Sequence, residues 1–584
     1  MNWDLGKLYA GFDDPALARD AEEARKQIDS AASAVAALTI PADAKALSHI
    51  VSDLQSITTL LTKVASFTFL TLAVDANNEG ALAFHDKVMH LDMASSSSAL
   101  SRYLGSVDDL ESLIQADPLL AEHAFMLREM KNRAAHTIDP ALEPTVLKMQ
   151  MTGGKAWEQL RDQLDSNLMI PFEKDGKVES LPLSAIRGLA YSADADVRKR
   201  AYEAEIAAYP RIEIPMAACL NGIKGEALTL AGLKHFDSVL DTALDVSRMD
   251  RATLDALISA LKDSLPMFRR YFRAKAKLLG YEGGLKFYDL FAPVGESHLT
   301  YTLDEARATL IQVMGKFSKK RADFIDRAFE ERWIDAYPRE GKTGGAFCSP
   351  VHFADRSLVM TNFTGSFSDV STIAHELGHA WHNRCLAGLP YSLIDTPMPL
   401  AETASIFNEQ LLAHMVLKDA SPDEQLSLLE GNLMETNQTI VDIYSRYLFE
   451  TEVIDTRADH AMSVDELKDA MLRAQEASYG DGLDPEIRHP YMWACKSHYY
   501  SSGYNFYNFP YAFGELFAKG VFAQYLQKGA AFVPDYCRLL RSCGSGTIAD
   551  VAASVGIDVR NPDFWRSSLE VVKGNIDKFC ELVK

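Results

Sequence analysis

Five consecutive residues, His375-Glu376-Leu377-Gly378-His379, carry the most specific chemistry in this chain. On a helix, positions i and i+4 lie on one face, so both imidazoles can reach one zinc ion. Glu376, one step round, faces the same cleft and can take a proton from a water held there. The bare pattern also arises by chance, so its flanks must decide. Ser366, Ser368, Asp369 and Ser371 offer N-caps, and Ile373, Leu377, Ala380 and Trp381 form an apolar back face. Gly388-Leu389-Pro390 stops the run. These signals predict a helix with both histidines on one side.

A catalytic zinc takes three protein ligands and leaves a fourth position open. His382 follows on the same face, but two helical turns carry it about 10 Å along the axis, which makes it a supporting or rim residue. A glycine and a third histidine spaced at threes after His379 would require Gly at 382 and His at 385. The chain has His382 and Cys385, so that solution fails. A carboxylate from a following helix remains. Pro397 and Pro399 start a helix whose first turn contains Glu402, among Leu400, Ala401, Ala404 and Ile406. His375, His379 and Glu402 are therefore the expected ligands of one zinc ion per chain. Ser405 and Glu409 share the face of Glu402 and are placed to hydrogen-bond the outer nitrogens of the histidines.

A third segment runs from His498 through Tyr499, Tyr500, Tyr504, Tyr507 and Tyr511 to Gly514. Its aromatic density fits plain core packing. It equally fits a set of donors facing the oxyanion that forms when a peptide carbonyl is attacked. Composition leaves both readings open.

The elements that must position these groups are mostly helices. Leu254, Leu257, Ile258, Leu261 and Leu265 recur at helical spacing, as do Leu310, Val313, Met314 and Phe317. Ser421-Pro422-Asp423-Glu424 reads as a helix start. The best strand is Ser357 to Phe363, just before the histidine motif. At 584 residues the chain exceeds one hydrophobic core. An N-terminal helical lobe is expected over residues 1–190, with loop chemistry at Pro140, Pro144 and Asp175-Gly176, and a catalytic domain over 191–584.

Composition excludes several classes. A formal charge of −22 leaves no basic stripe to neutralise nucleic-acid phosphates. Seven scattered cysteines without C-x-x-C spacing argue against a disulfide framework and suit a reducing cytoplasm. The first thirty residues mix acids and bases and lack an apolar signal core. The longest apolar run, around Thr59 to Val74, reads as too short and too polar to span a bilayer. A cytoplasmic protein without membrane or nucleic-acid partners is the expectation.

The segments HELGH, AETASIFNE and HYY…FYNFPYAFG together resemble the oligoendopeptidase F branch of the thimet oligopeptidase and neurolysin family of zinc metallopeptidases. Tyr288-Asp289-Leu290-Phe291-Ala292-Pro293 and Gly344-Gly345-Ala346-Phe347 support the match, which covers residues 110 to 575. The resemblance implies a mostly α fold: two helical lobes enclosing a deep substrate channel, with a small β-sheet next to the zinc-binding helix. It implies His375, His379 and Glu402 as zinc ligands and Glu376 as general base. It gives His498, Tyr511 and Tyr504 the work of orienting substrate and stabilising the oxyanion. One departure stands out: the first tyrosine follows the histidine by six residues where the thimet branch has five, and the branch's intermediate tyrosine falls on Asn508.

The implied function is a zinc-dependent oligoendopeptidase that hydrolyses internal bonds of short unstructured peptides. One alternative is a zinc carboxypeptidase on a similar helical fold, which would hold the substrate C-terminus with a cation such as Arg384, Arg488 or Lys496. The other is a non-catalytic peptide-binding protein, for which Glu376 would serve no purpose.

Overall fold

The structure, a computed structural model, describes residues 2–583 apart from 90, 92, 175, 296–298 and 352–354. It is mostly helical. The residues group into two compact units. One comprises Met1–Thr137, Leu299–Val416 and Gln524–Ile557; the other comprises Ile138–His298, Leu417–Ala523 and Asp558–Lys584. The sequence places one division at residue 190, whereas each unit draws on three separate stretches of chain. Helices distant in sequence pack together, which local periodicity does not encode.

The helical signals hold. Arg251–Leu278 and Leu303–Phe317 are helices that bury Leu254, Leu257, Leu261 and Leu265, and Leu310, Val313, Met314 and Phe317. Ser421 caps Pro422–Asn437 through a reciprocal pair of bonds with Glu424, because Ser at N-cap and Glu at N3 satisfy each other's backbone donors.

In the first unit, helix Ala44–Val74 is 31 residues long, well beyond the run from Thr59 that the sequence suggests. Its most apolar 18-residue window has a mean hydropathy of 1.6, which makes it the one helix among the described residues long and apolar enough to cross a membrane. It packs against helices Pro15–Ala36 and Glu79–Met89, and it buries Leu47, Ile50, Ile57, Val64 and Leu70.

The same unit holds a three-stranded sheet. β5 (Arg356–Met360) lies between β3 (Ile334–Asp335), to which it runs parallel, and β4 (Phe347–Val351), to which it runs antiparallel. All five residues of β5 are buried. The expected strand ends three residues early, yet the Thr361 and Phe363 N–H groups still bond the Asp335 and Ala336 carbonyls at 2.9 and 2.7 Å. β4 and β5 pack on the helix that carries the histidine motif, so the small sheet stands where expected.

The second unit has one hairpin, β1 (Met169–Lys174) with β2 (Lys177–Pro182). Gly176 turns it at φ 74°, a conformation open mainly to glycine; Asp175 lies outside the described residues. The core gathers Ile170, Tyr209, Met216, Leu220, Phe449 and Trp493, among others.

Candidate active site

Helix Phe367–Leu386 begins at Ser366, whose Oγ accepts the Asp369 N–H at 3.1 Å. Asp369 Oδ2 accepts the N–H groups of Thr364, Gly365 and Ser366 at 2.9–3.0 Å in return. This cap fixes the helix start and hence which residues face the core. Val370, Ile373, Ala374, Leu377 and Ala380 are buried on the back, and His375 and His379 stand half-buried on the other side.

Glu402 arrives from a neighbouring element. It lies between a one-turn helix, Met398–Ala401, and helix Thr403–Asp419, with φ −86° and ψ 1°. The sequence puts it inside a first turn; the junction instead aims its carboxylate sideways, out of both helices. The two elements approach where Gly378 meets Ala404 and Ser405. A Cβ on Gly378 would sit 2.5 Å from the Ala404 carbonyl oxygen and the Ser405 Cα, closer than real Cβ contacts come. Glycine inside the motif is thus a packing requirement. Asn408 Nδ2 donates to the Ala374 carbonyl at 2.7 Å and ties the two helices further.

Three atoms converge. His375 Nε2 and His379 Nε2 are 3.2 Å apart, and Glu402 Oε2 lies 3.2 and 3.3 Å from them. Donors held at zinc–ligand distance on a tetrahedron are separated by about 3.3 Å, so this triangle fits a zinc ion with one corner open. Among the described residues these three form the one His/Cys/Asp/Glu group able to hold a metal.

Protonation chemistry agrees. Glu409 Oε1 lies 2.9 Å from His375 Nδ1, which sets that nitrogen as an N–H and leaves Nε2 to turn its lone pair on a cation once the cation displaces its proton. Burial works against a charge on His375, but the hydrogen bonds and charges of Glu402 and Glu409 prevail and raise it to about 11. Glu402, despite burial, is drawn well below the carboxylate range by the two histidines. The cluster is short of positive charge, which a divalent cation supplies.

Glu376, 6% exposed, has its carboxyl pushed up by burial, with His375 and His379 pulling the other way. Ser405 does not reach a histidine: its Oγ donates within Glu402 itself, to Oε2 at 2.7 Å or the carbonyl at 2.9 Å. His382 is buried, and its Nε2 lies 3.1 Å from the Leu540 carbonyl oxygen, so it is a packed core residue and does not sit on a rim. Burial, then the charge of His379, lowers it to about 4.

In the second unit, His498 stacks on Tyr507 with ring centroids 5.7 Å apart. Tyr511 stands edge-on to both, at 6.1 and 5.3 Å, and Tyr504 packs on Tyr507 at 5.6 Å. Tyr504 is 58% exposed. A buried clasp shapes the loop that carries the tyrosines. Lys224, from helix Glu213–Leu233, pairs with Glu450, from helix Ile443–Arg457, at 2.7 Å. Glu450 also accepts the Phe506 N–H at 3.0 Å and the Asn508 side-chain amide at 2.8 Å, while Lys224 donates to Asn505 Oδ1 at 3.0 Å. Phe506 is thereby held at φ 54°, a left-handed conformation rare for a bulky residue. Burial, then the charges of Arg446 and Lys496, keeps His498 below its usual value.

A family model described as "Peptidase family M3" matches residues 188–571, and one described as "Oligopeptidase F" matches residues 106–169. The chain belongs to peptidase family M3. It is 26% identical over 486 residues to group B oligopeptidase PepB of Streptococcus agalactiae, covering 82% of this chain and 80% of the relative. It is 22% identical to oligopeptidase PepF of Bacillus subtilis, covering 87% and 77%. Its fold matches the crystal structure of oligoendopeptidase-F from Enterococcus faecium with a TM-score of 0.69, 18% identity and 97% of each chain covered. The protein is thus a metallo-endopeptidase.

For this M3 peptidase, then, the sequence-selected His375, His379 and Glu402 meet, with Glu376 on the same helix. His498, Tyr504 and Tyr511 form one cluster in their own unit, and Tyr507 lies at its centre. Asn508, where the thimet branch has its intermediate tyrosine, is buried against Glu450. Lys224 and Glu450 escaped the sequence reading. A lone Lys and a lone Glu on two amphipathic helices carry no local signal of being paired.

Proposed function

We propose that this protein is a zinc-dependent oligoendopeptidase that hydrolyses internal peptide bonds of short unstructured peptides. The single observation that carries the reading is the 3.2–3.3 Å triangle of His375, His379 and Glu402 with Glu376 as the next residue on the same helix. A zinc ion held by those three would supply Lewis acidity, acidifying a water and polarising the scissile carbonyl. Glu376 accepts the proton of the attacking water and passes it to the leaving amine. Glu409 fixes the His375 ring through Nδ1. His498 and Tyr511, with Tyr504 and Tyr507 beside them, donate to the oxygen that becomes negative. We assign this chemistry to residues 191–584, which contain all of these groups.

The carboxypeptidase alternative finds less support. Arg384 is already 3.2 Å from Asp355, Arg488 is paired with Glu476, and Lys496 lines a cavity that contains none of the proposed catalytic residues. A pure binding protein would have no use for Glu376. The names of relatives, oligopeptidase and oligoendopeptidase, agree with short peptides as substrates. Seven scattered cysteines without C-x-x-C spacing fit a reducing cytoplasm.

The test combines metal analysis with product mapping on an N- and C-blocked peptide. One zinc per chain, activity lost on chelation and restored by zinc, and internal cleavage are expected. Full activity in metal-free protein, or an uncut blocked peptide beside a cleaved free one, would overturn the proposal.

A further inference from the structure

The second unit contains a cavity of about 360 Å3 that none of the proposed catalytic residues lines. That volume lies in the range of small-ligand sites. Its walls are aromatic: Tyr191 and Phe291 have ring centroids 4.9 Å apart, and Tyr202 and Tyr288 5.6 Å apart. Tyr191 is exposed, while Glu205 and His489 are buried.

The polar groups around it do not balance. Glu205 Oε1 accepts from Tyr209 at 2.7 Å, from His489 Nε2 at 3.1 Å and from Arg187. Asp289, the partner of the lining residue Arg198, is satisfied by it at 2.7 Å and by Tyr281 at 2.6 Å. Asp442 is held by Arg446 and lies 3.6 Å from Lys496, a long contact for an ammonium with three donors. Arg187 spends one nitrogen on Glu205 and has the other donors of its guanidinium to spare. Each carboxylate already faces a cation, and Arg187 and Lys496 carry more donors than those contacts use. His489 adds a third feature. Its Nε2 faces Glu205, and its buried Nδ1, an acceptor in the neutral ring, has no partner.

A ligand matched to this lining brings a carboxylate for Arg187 and Lys496, a flat apolar group for the tyrosine walls, and an N–H for His489 Nδ1. The C-terminal residue of a peptide has all three when its side chain is aromatic. We propose that this cavity binds the free C-terminal residue of an aromatic-ended peptide. The biological use of the site rests on the peptidase reading; the binding itself does not.

Calorimetry with N-acetyl-L-phenylalanine and its primary amide tests binding without any turnover. The acid is expected to bind and the amide to bind at least tenfold more weakly, since a charge-assisted contact contributes about that factor or more. Arg187→Gln should abolish the preference for the acid. Tyr191→Ser, at an exposed wall position that leaves folding intact, should weaken acid and amide alike. In kinetics, N-acetyl-L-phenylalanine should raise the apparent KM for a short peptide acid. Equal binding of acid and amide, binding of neither, or binding with no effect on peptide kinetics would each overturn the assignment. Loss of activity with the acid still bound would instead strike at the catalytic reading alone.

Discussion

Replacing Glu450 with Gln keeps the shape of a buried side chain and removes the charge that organises the tyrosine loop. Glu450 is 2% exposed and Lys224 fully buried, with 2.7 Å between them. Removing one partner of such a pair costs about 3–5 kcal/mol, because the remaining charge is stranded out of water. Lys224 keeps its bond to Asn505 at 3.0 Å, which favours the lower end, about 3 kcal/mol. Over a unit of ~300 residues that lowers Tm by roughly 5 °C. The loop suffers separately. Gln has one acceptor oxygen for the two loop donors that the carboxylate now takes on separate oxygens, the Phe506 N–H and the Asn508 amide. Phe506 then has less to hold its positive φ, and Tyr507 and Tyr511 drift from register. Misplacing one oxyanion donor costs kcat roughly 10²- to 10³-fold. A double variant, Lys224→Met with Glu450→Leu, separates the two effects. Exchanging both charges for apolar groups removes the stranded ammonium but leaves the Phe506 N–H and the Asn508 amide without their acceptor, so Tm should recover only in part while kcat stays low. The assay is thermal unfolding beside kcat and KM on a quenched peptide, with zinc content as control. A double variant with normal kcat would refute the view that this clasp positions catalytic groups.

Tyr511→Phe should lower kcat about 10²- to 10³-fold with KM and Tm little changed, as expected for a donor felt mainly in the transition state; Tyr507→Phe and Tyr504→Phe, measured in parallel, rank the other two hydroxyls, and an unchanged kcat for Tyr511→Phe would return that residue to the core. Gly378→Ala should lower zinc affinity and Tm together, because its Cβ must push Ala404 and Ser405 away by several tenths of an ångström; titration against a competing chelator reads this, and wild-type affinity would show the close approach to be dispensable. Glu402→Ala should lower metal content far more than His382→Ala, since His382 is turned toward the Leu540 carbonyl; the reverse order, by elemental analysis, would move the third ligand.

What was legible in the sequence was what is local. The i, i+4 histidines, the Ser366 cap and the apolar back face all act within one helix, so spacing alone placed them. Glu402 was legible as the right residue type at a helix start, but its position between two helices depends on the contact at Gly378, which joins separate elements. Glu409 could be foreseen from its i+7 relation to Glu402, whereas Ser405, at i+3, turned back to Glu402 itself. The tyrosine loop was the least legible part. Its register is set by Glu450 and Lys224 on two other helices, so counting residues from His498 could not show that Tyr507 is central and Asn508 buried. The interleaving of the two units was hidden for the same reason: each is assembled from helices far apart in sequence.

Glu376→Gln tests the central claim most directly, because it separates holding the metal from using it. Glu376 is assigned as base and not as ligand, so the purified variant should retain one zinc per chain and bind peptide normally. Its kcat should fall about 10²- to 10⁴-fold, the usual share of general base catalysis. Near-normal turnover with zinc in place would contradict the account, and loss of the zinc itself would make Glu376 part of the metal site instead.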